Sequence, residues 1–142
     1  MLRSTLLAAV FAAGFATAAS AAMLQFHATM NGASEVPPKQ VAGTGETLAT
    51  LDTAKKQLTY TLVIENITGP ATAAHFHGPA AAGKNAGVVV PIGGKGPTSP
   101  VHGSATLTDA QMKDLEAGMW YVNVHTAANP GGEIRGQVLP VK

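Results

Sequence analysis

Apolar and polar residues alternate one for one along most of this 142-residue chain, and that period decides what it can fold into. A β-strand turns successive side chains to opposite faces, so a period of two buries one face and wets the other. In Leu24-Gln25-Phe26-His27-Ala28-Thr29-Met30 every even position is apolar, and Asn31-Gly32 follows as a turn signal. Gly45 to Leu51 reads the same way, with Thr47, Ala49 and Leu51 on one face. After the polar turn Asp52-Thr53-Ala54-Lys55-Lys56, the residues Leu58, Tyr60, Leu62 and Ile64 alternate along a third segment. Ala71 to His77, Val88 to Ile92, Val101 to Leu107, Met119 to Thr126 and Glu133 to Leu139 are further candidates. Short strands divided by Gly and Pro predict an all-β, antiparallel sandwich or barrel.

Two stretches depart from the period. Thr108-Asp109-Ala110-Gln111 has the form of a capping box, in which Thr accepts from an early helical N–H and Gln reaches back. Met112 and Leu115 give that helix a small apolar face, and Gly118 is placed to end it in a left-handed conformation. From Gly78 to Pro100, ten of 23 residues are Gly or Pro, which predicts irregular loops on either side of Val88-Val89-Val90. Loops of this length are often functional, and a plain crossover between strands is the alternative.

Charge is scarce and balanced, at nine Lys and Arg against eight Asp and Glu. That gives no electrostatic case for nucleic acid or an anionic membrane. With no cysteine, disulfides, thiolate metal sites, cysteine catalysis and a lipidated-cysteine anchor are all removed. At the N-terminus Met1-Leu2-Arg3 is followed by the uncharged run Leu6 to Ala16 and by Ala19-Ser20-Ala21-Ala22. This is expected to be a secretory signal over residues 1–22, cut after Ala21 or Ala22. A spanning anchor wants about 20 predominantly apolar residues, whereas Ala, Gly, Ser and Thr dominate here. One exported domain over 23–142, in the periplasm or secreted and without a membrane anchor, is therefore expected.

Two clusters could carry chemistry. In Ala74-His75-Phe76-His77-Gly78 a strand sets both imidazoles on one face, with Cα atoms about 6.5 Å apart, within reach of one ion. Phe76 is the natural core residue, so both histidines are expected to face outward. In Met119-Trp120-Tyr121-Val122-Asn123-Val124-His125-Thr126, Trp120, Val122 and Val124 form the core face. Tyr121, Asn123 and His125 then share the outward one. After the turn Asn129-Pro130-Gly131-Gly132, Glu133 and Arg135 fall on one face. Arg135 is the only arginine past Arg3 in a chain with seven lysines, and bidentate pairing to a carboxylate is its expected reason.

AHFHGPAAAG and YVNVHTAANPGGEIRGQV, with Glu35-Val36-Pro37-Pro38 and the Leu58-to-Ile64 segment, resemble the CHRD domain, named from chordin and found also in secreted bacterial proteins. The resemblance covers roughly Met23 to Val138. It implies an immunoglobulin-like β-sandwich with limited similarity to copper–zinc superoxide dismutases, and no settled activity. His75-Phe76-His77 is similar to the His-x-His strand that gives those dismutases two copper ligands, and Val124-His125 to the Val-His that gives a third. Gly132-Glu133-Ile134-Arg135-Gly136 is similar to their closing strand. Only His102 lies between His77 and His125, so a dinuclear site is excluded and dismutase activity is not expected.

The sharper functional reading is a copper or zinc site on His75, His77 and His125, with a coordination position left open. Asn123, Glu133 and Arg135 would then support it, as a structural ion pair or as groups orienting a histidine. The alternative is a non-catalytic extracellular module for a protein or surface partner, its histidines hydrogen-bonded to backbone. No nucleophile or second carboxylate accompanies Glu133, so no catalytic residue is assigned. His27 and His102 are expected to face solvent, and Trp120 to lie in the core. Asn66-Ile67-Thr68 fits a glycosylation acceptor, a match that would be chance in a bacterium.

Overall fold

The computed structural model describes residues 20–142, so all but the last three residues of the expected signal segment fall outside it. Eight strands follow one another: β1 (Met23–Asn31), β2 (Thr44–Asp52), β3 (Gln57–Glu65), β4 (Ala71–His77), β5 (Val88–Ile92), β6 (Val101–Thr106), β7 (Trp120–Thr126) and β8 (Ile134–Pro140). One helix, α1 (Asp109–Glu116), joins β6 to β7. Every strand predicted from the sequence is present, with ends shifted by at most one residue. All pairings are antiparallel, in the order β5-β4-β7-β8-β1-β2-β3-β6.

The sheet is a single one folded over on itself. Its inward residues, among them Phe26, Met30, Leu51, Leu58, Leu62, Phe76, Trp120, Val122 and Ile134, form one buried cluster. Tyr60 on β3 meets Phe76 on β4 edge-on at 5.2 Å, an arrangement that suits the ring quadrupoles and ties the two halves together. The end strands β5 and β6 come together across a seam without forming a ladder, so the sheet is nearly closed. At that seam β5 carries Pro91, and the Ser99 hydroxyl of the following loop accepts from the backbone N–H of Ile64 at 2.8 Å.

The helix is built as its capping box requires. Gln111 N–H donates to the Thr108 hydroxyl at 3.2 Å, and the Thr108 N–H donates back to the Gln111 side chain at 2.9 Å. Leu115 is buried, and Gly118 has φ +70°, the left-handed stop expected there. Among the described residues no helix is long and apolar enough to cross a membrane.

One expectation fails in an informative way. The outer face of β4, β7 and β8 is not open to solvent. Residues 78–87 fold back over it, leaving Tyr121, Asn123, Arg135 and His77 buried and His75 and His125 half-buried.

Candidate metal centre

Strand register builds the site. His75 lies opposite Asn123, which lies opposite Arg135; in the next row His77 lies opposite Tyr121, which lies opposite Gln137. His125 faces Ala73 and reaches His75 diagonally, a distance that long side chains span on a pleated sheet. Nδ1 of His75 and Nε2 of His125 stand 3.2 Å apart. One nitrogen from each of His75, His77 and His125 lies within 4.8 Å of the other two. Nitrogens bound at about 2.0–2.1 Å to a single tetrahedral ion stand about 3.3 Å apart. Two imidazoles are thus already at ligand spacing, and the third is within a side-chain adjustment of it.

Backbone carbonyls fix which nitrogen each outer histidine can offer. The Pro130 carbonyl lies 2.9 Å from Nδ1 of His125 and can only accept, so that nitrogen carries the proton and Nε2 is left bare. The Ala86 carbonyl does the same to Nδ1 of His77, at 3.0 Å. Nε2 of His77 faces Oδ1 of Asn123 at 3.0 Å; with the ring proton on Nδ1, Nε2 can only accept, so the amide bonds it by turning Nδ2 towards it. Burial holds the His75 pKa below its usual value, and charge on His125 or His77 would lower it further. Burial lowers the pKa of His77 as well, with the Ala86 and Asn123 contacts opposing part of that. Both rings are therefore neutral at neutral pH, the form a metal needs.

Arg135 does not pair with a carboxylate. Its guanidinium donates to the Asn85 side chain at 2.8 Å and to the Lys84 carbonyl, and it lies 3.5 Å from the centre of the Tyr121 ring. Tyr121 stacks in parallel on His77 at 4.7 Å. The Tyr121 hydroxyl donates to the Ala86 carbonyl at 3.1 Å and accepts the Ala86 N–H at 3.2 Å. Arg135, Tyr121 and His77 thus form one stack that clamps Lys84-Asn85-Ala86 over the sheet. A planar fork that both stacks and donates twice explains an arginine where every other cation past Arg3 is lysine.

Glu133 is the second correction. It is fully buried and makes no pair with Arg135. Its carboxylate accepts from the Thr68 N–H at 2.7 Å, the Thr68 hydroxyl at 2.5 Å, the Thr126 hydroxyl at 2.6 Å and the Asn129 amide at 3.1 Å. Burial pushes this carboxyl up, but those bonds outweigh it and hold it below the usual carboxylate range. Glu133 thereby ties the turn that positions Pro130 to the β3–β4 loop, and it touches no histidine among the described residues. The Thr68 hydroxyl of Asn66-Ile67-Thr68 is consumed in this cluster. His102 is exposed and bonded to Thr61 at 2.9 Å, His27 is half-buried on β1, and Trp120 is fully buried.

Asn123 alone of the supporting residues touches a ligand candidate directly. Behind it sits Glu35, to which no role was assigned from sequence. It is 4% exposed, and its Oε1 has no hydrogen-bond partner. Burial raises its pKa, with the Arg135 charge and the Asn123 amide opposing part of the rise. Gly132, at φ +129°, permits this arrangement: a β-carbon there would collide with Oε1 of Glu35 and lie 2.8 Å from Nδ2 of Asn123. Nothing in a lone glutamate beside two prolines signals that it will be buried.

A family model described as the CHRD domain matches residues 26–138. The chain belongs to the CHRD family. That match takes in all three histidines, Asn123, Glu133 and Arg135, so the site is built wholly within the CHRD domain. Such domains are typically extracellular modules. No curated protein and no solved structure matches the chain.

Proposed function

We propose that this CHRD domain is an exported, non-catalytic metal-binding module that takes copper or zinc on His75, His77 and His125. The observation that carries the reading is the 3.2 Å approach of two imidazole nitrogens, one of them left bare by the Pro130 carbonyl. Such a pair shares one proton in the metal-free protein, donated from Nδ1 of His75 to Nε2 of His125. An ion takes the place of that proton once His75 shifts to its other tautomer. Three imidazoles without thiolate or carboxylate suit copper and zinc alike and leave a coordination position open. Export rests on the signal-type segment over residues 1–22, and N-terminal sequencing of the mature protein tests it.

Metal analysis of the untagged purified chain, beside a His75→Ala/His77→Ala variant, tests the binding. About one equivalent of copper or zinc is expected in the wild type and none in the variant. A wild type that takes up no stoichiometric metal at neutral pH returns the histidines to a structural role, leaving a module for a protein or surface partner.

A further inference from the structure

The third imidazole is not free in the way the other two are. Nδ1 of His77 belongs to the Ala86 carbonyl and Nε2 to Asn123, each at 3.0 Å. A metal must displace one of these partners. Displacing Ala86 would undo the whole clamp, because its carbonyl and its N–H are both held by Tyr121 and its two preceding residues by Arg135. Displacing Asn123 costs the turning of one side chain. A carbonyl can only accept, so Nδ1 keeps its proton whichever way the Asn123 amide is turned. Nε2 is the nitrogen that can be released, the same choice the Pro130 carbonyl imposes on His125.

We infer that Asn123 competes with the metal for Nε2 of His77, so that the site is two ligands plus a third held in reserve. This rests on the metal-binding reading. Asn123 is a positioning residue with a sign opposite to that of an ordinary supporting group: it weakens binding by occupying the nitrogen the ion needs. Glu35 gives the displaced amide somewhere to go. Its Oε1 is buried without a partner on the face of Gly132, within reach of Nδ2 of Asn123 once the amide turns away from His77. A carboxyl there can take up the amide that His77 releases, which makes the exchange reversible instead of leaving a buried polar group stranded.

Zinc titration of the untagged wild type, Asn123→Ala and Asn123→Ala/His77→Ala tests the inference. Removing one competing hydrogen bond is expected to tighten zinc binding roughly three- to tenfold in Asn123→Ala. The gain should vanish in the double variant, because the freed nitrogen is gone. A folded Asn123→Ala protein that binds zinc equally or more weakly than wild type overturns the competition and leaves the metal site standing. A wild type that binds no zinc or copper removes both. Should Asn123→Ala fail to fold, nitrogen-15 spectra of wild-type His77 decide the question. Zinc is expected to shift Nε2, leave the proton on Nδ1 and move the Asn123 side-chain amide signals. A shift at Nδ1 with the Asn123 signals unmoved overturns the inference.

Discussion

Arg135→Lys keeps the charge and removes the fork, which makes it the sharpest probe of how residues 78–87 are held. Arg135 is 2% exposed and donates separately to Asn85 and to the Lys84 carbonyl, with its plane against Tyr121. A lysine ammonium can reach one of those acceptors, so one charged hydrogen bond is lost, at about 1.5–3 kcal/mol. The stack on Tyr121 weakens as well, by about 0.5–1 kcal/mol. A loss of about 3 kcal/mol follows for Arg135→Lys. Arg135→Met, which removes both hydrogen bonds and the charge over Tyr121, should lose about 3–4 kcal/mol. Urea unfolding measures the global part. Hydrogen exchange at the Ala86 N–H, which donates to the Tyr121 hydroxyl, measures the loop directly. If Arg135→Lys unfolds within about 0.5 kcal/mol of wild type and Ala86 stays equally protected, the clamp is not what holds the loop.

The two buried glutamates should respond to pH with opposite signs. Glu133 titrates below its ordinary 4.5 in the folded state, so its stabilisation is complete at neutral pH and drains away as pH falls below about 4.5; in Glu133→Gln the acid side of the stability profile should flatten, with about 1–3 kcal/mol lost at neutral pH. Glu35 is raised above 4.5, so its contribution is complete below that pH and is lost as pH rises; Glu35→Gln should stabilise at neutral pH and do nothing in acid, as read by thermal unfolding. Gly132→Ala meets Glu35 at a φ of +129° and should cost about 2–4 kcal/mol, part of which Glu35→Ala returns in the double variant. Protonation of His75 and His77, both of which titrate below 6.5, should weaken zinc binding in acid; calorimetry at several pH values checks this, and a pH-independent affinity would contradict it.

The alternation of side chains revealed nearly all of the architecture, because a strand's period is a local property. Leu58, Tyr60, Leu62 and Ile64 read as one buried face, and they are one. The capping box at Thr108 was equally local. Face and spacing joined His75 to His77 and turned His125 outward, whereas adding His125 to the pair rested on the similarity to the dismutase copper ligands. What stayed hidden was long-range. That the outer face of β7 is covered depends on where residues 78–87 fold, which no period encodes. Arg135 was singled out correctly as unusual, but its partners lie 50 and 51 positions away, one of them a backbone carbonyl that carries no sequence signature. Glu133 and Arg135 looked like a pair because they are two residues apart, and each found better-placed partners elsewhere.

The seam between β5 and β6 bears on how this chain survives in solution. A Val- and Thr-rich sheet with few charges is the kind of surface that templates strand addition from neighbouring molecules, and the row of unpaired N–H and C=O groups on an edge strand is where that begins. Here the two edges face each other instead of the outside. Pro91 removes one donor from β5, and Ser99 occupies the Ile64 N–H just beyond the end of β6. Without cysteine there is no covalent staple to hold such an edge shut. The loop of residues 93–100, by drawing β5 and β6 together, shields both edges from strand addition without a covalent bond.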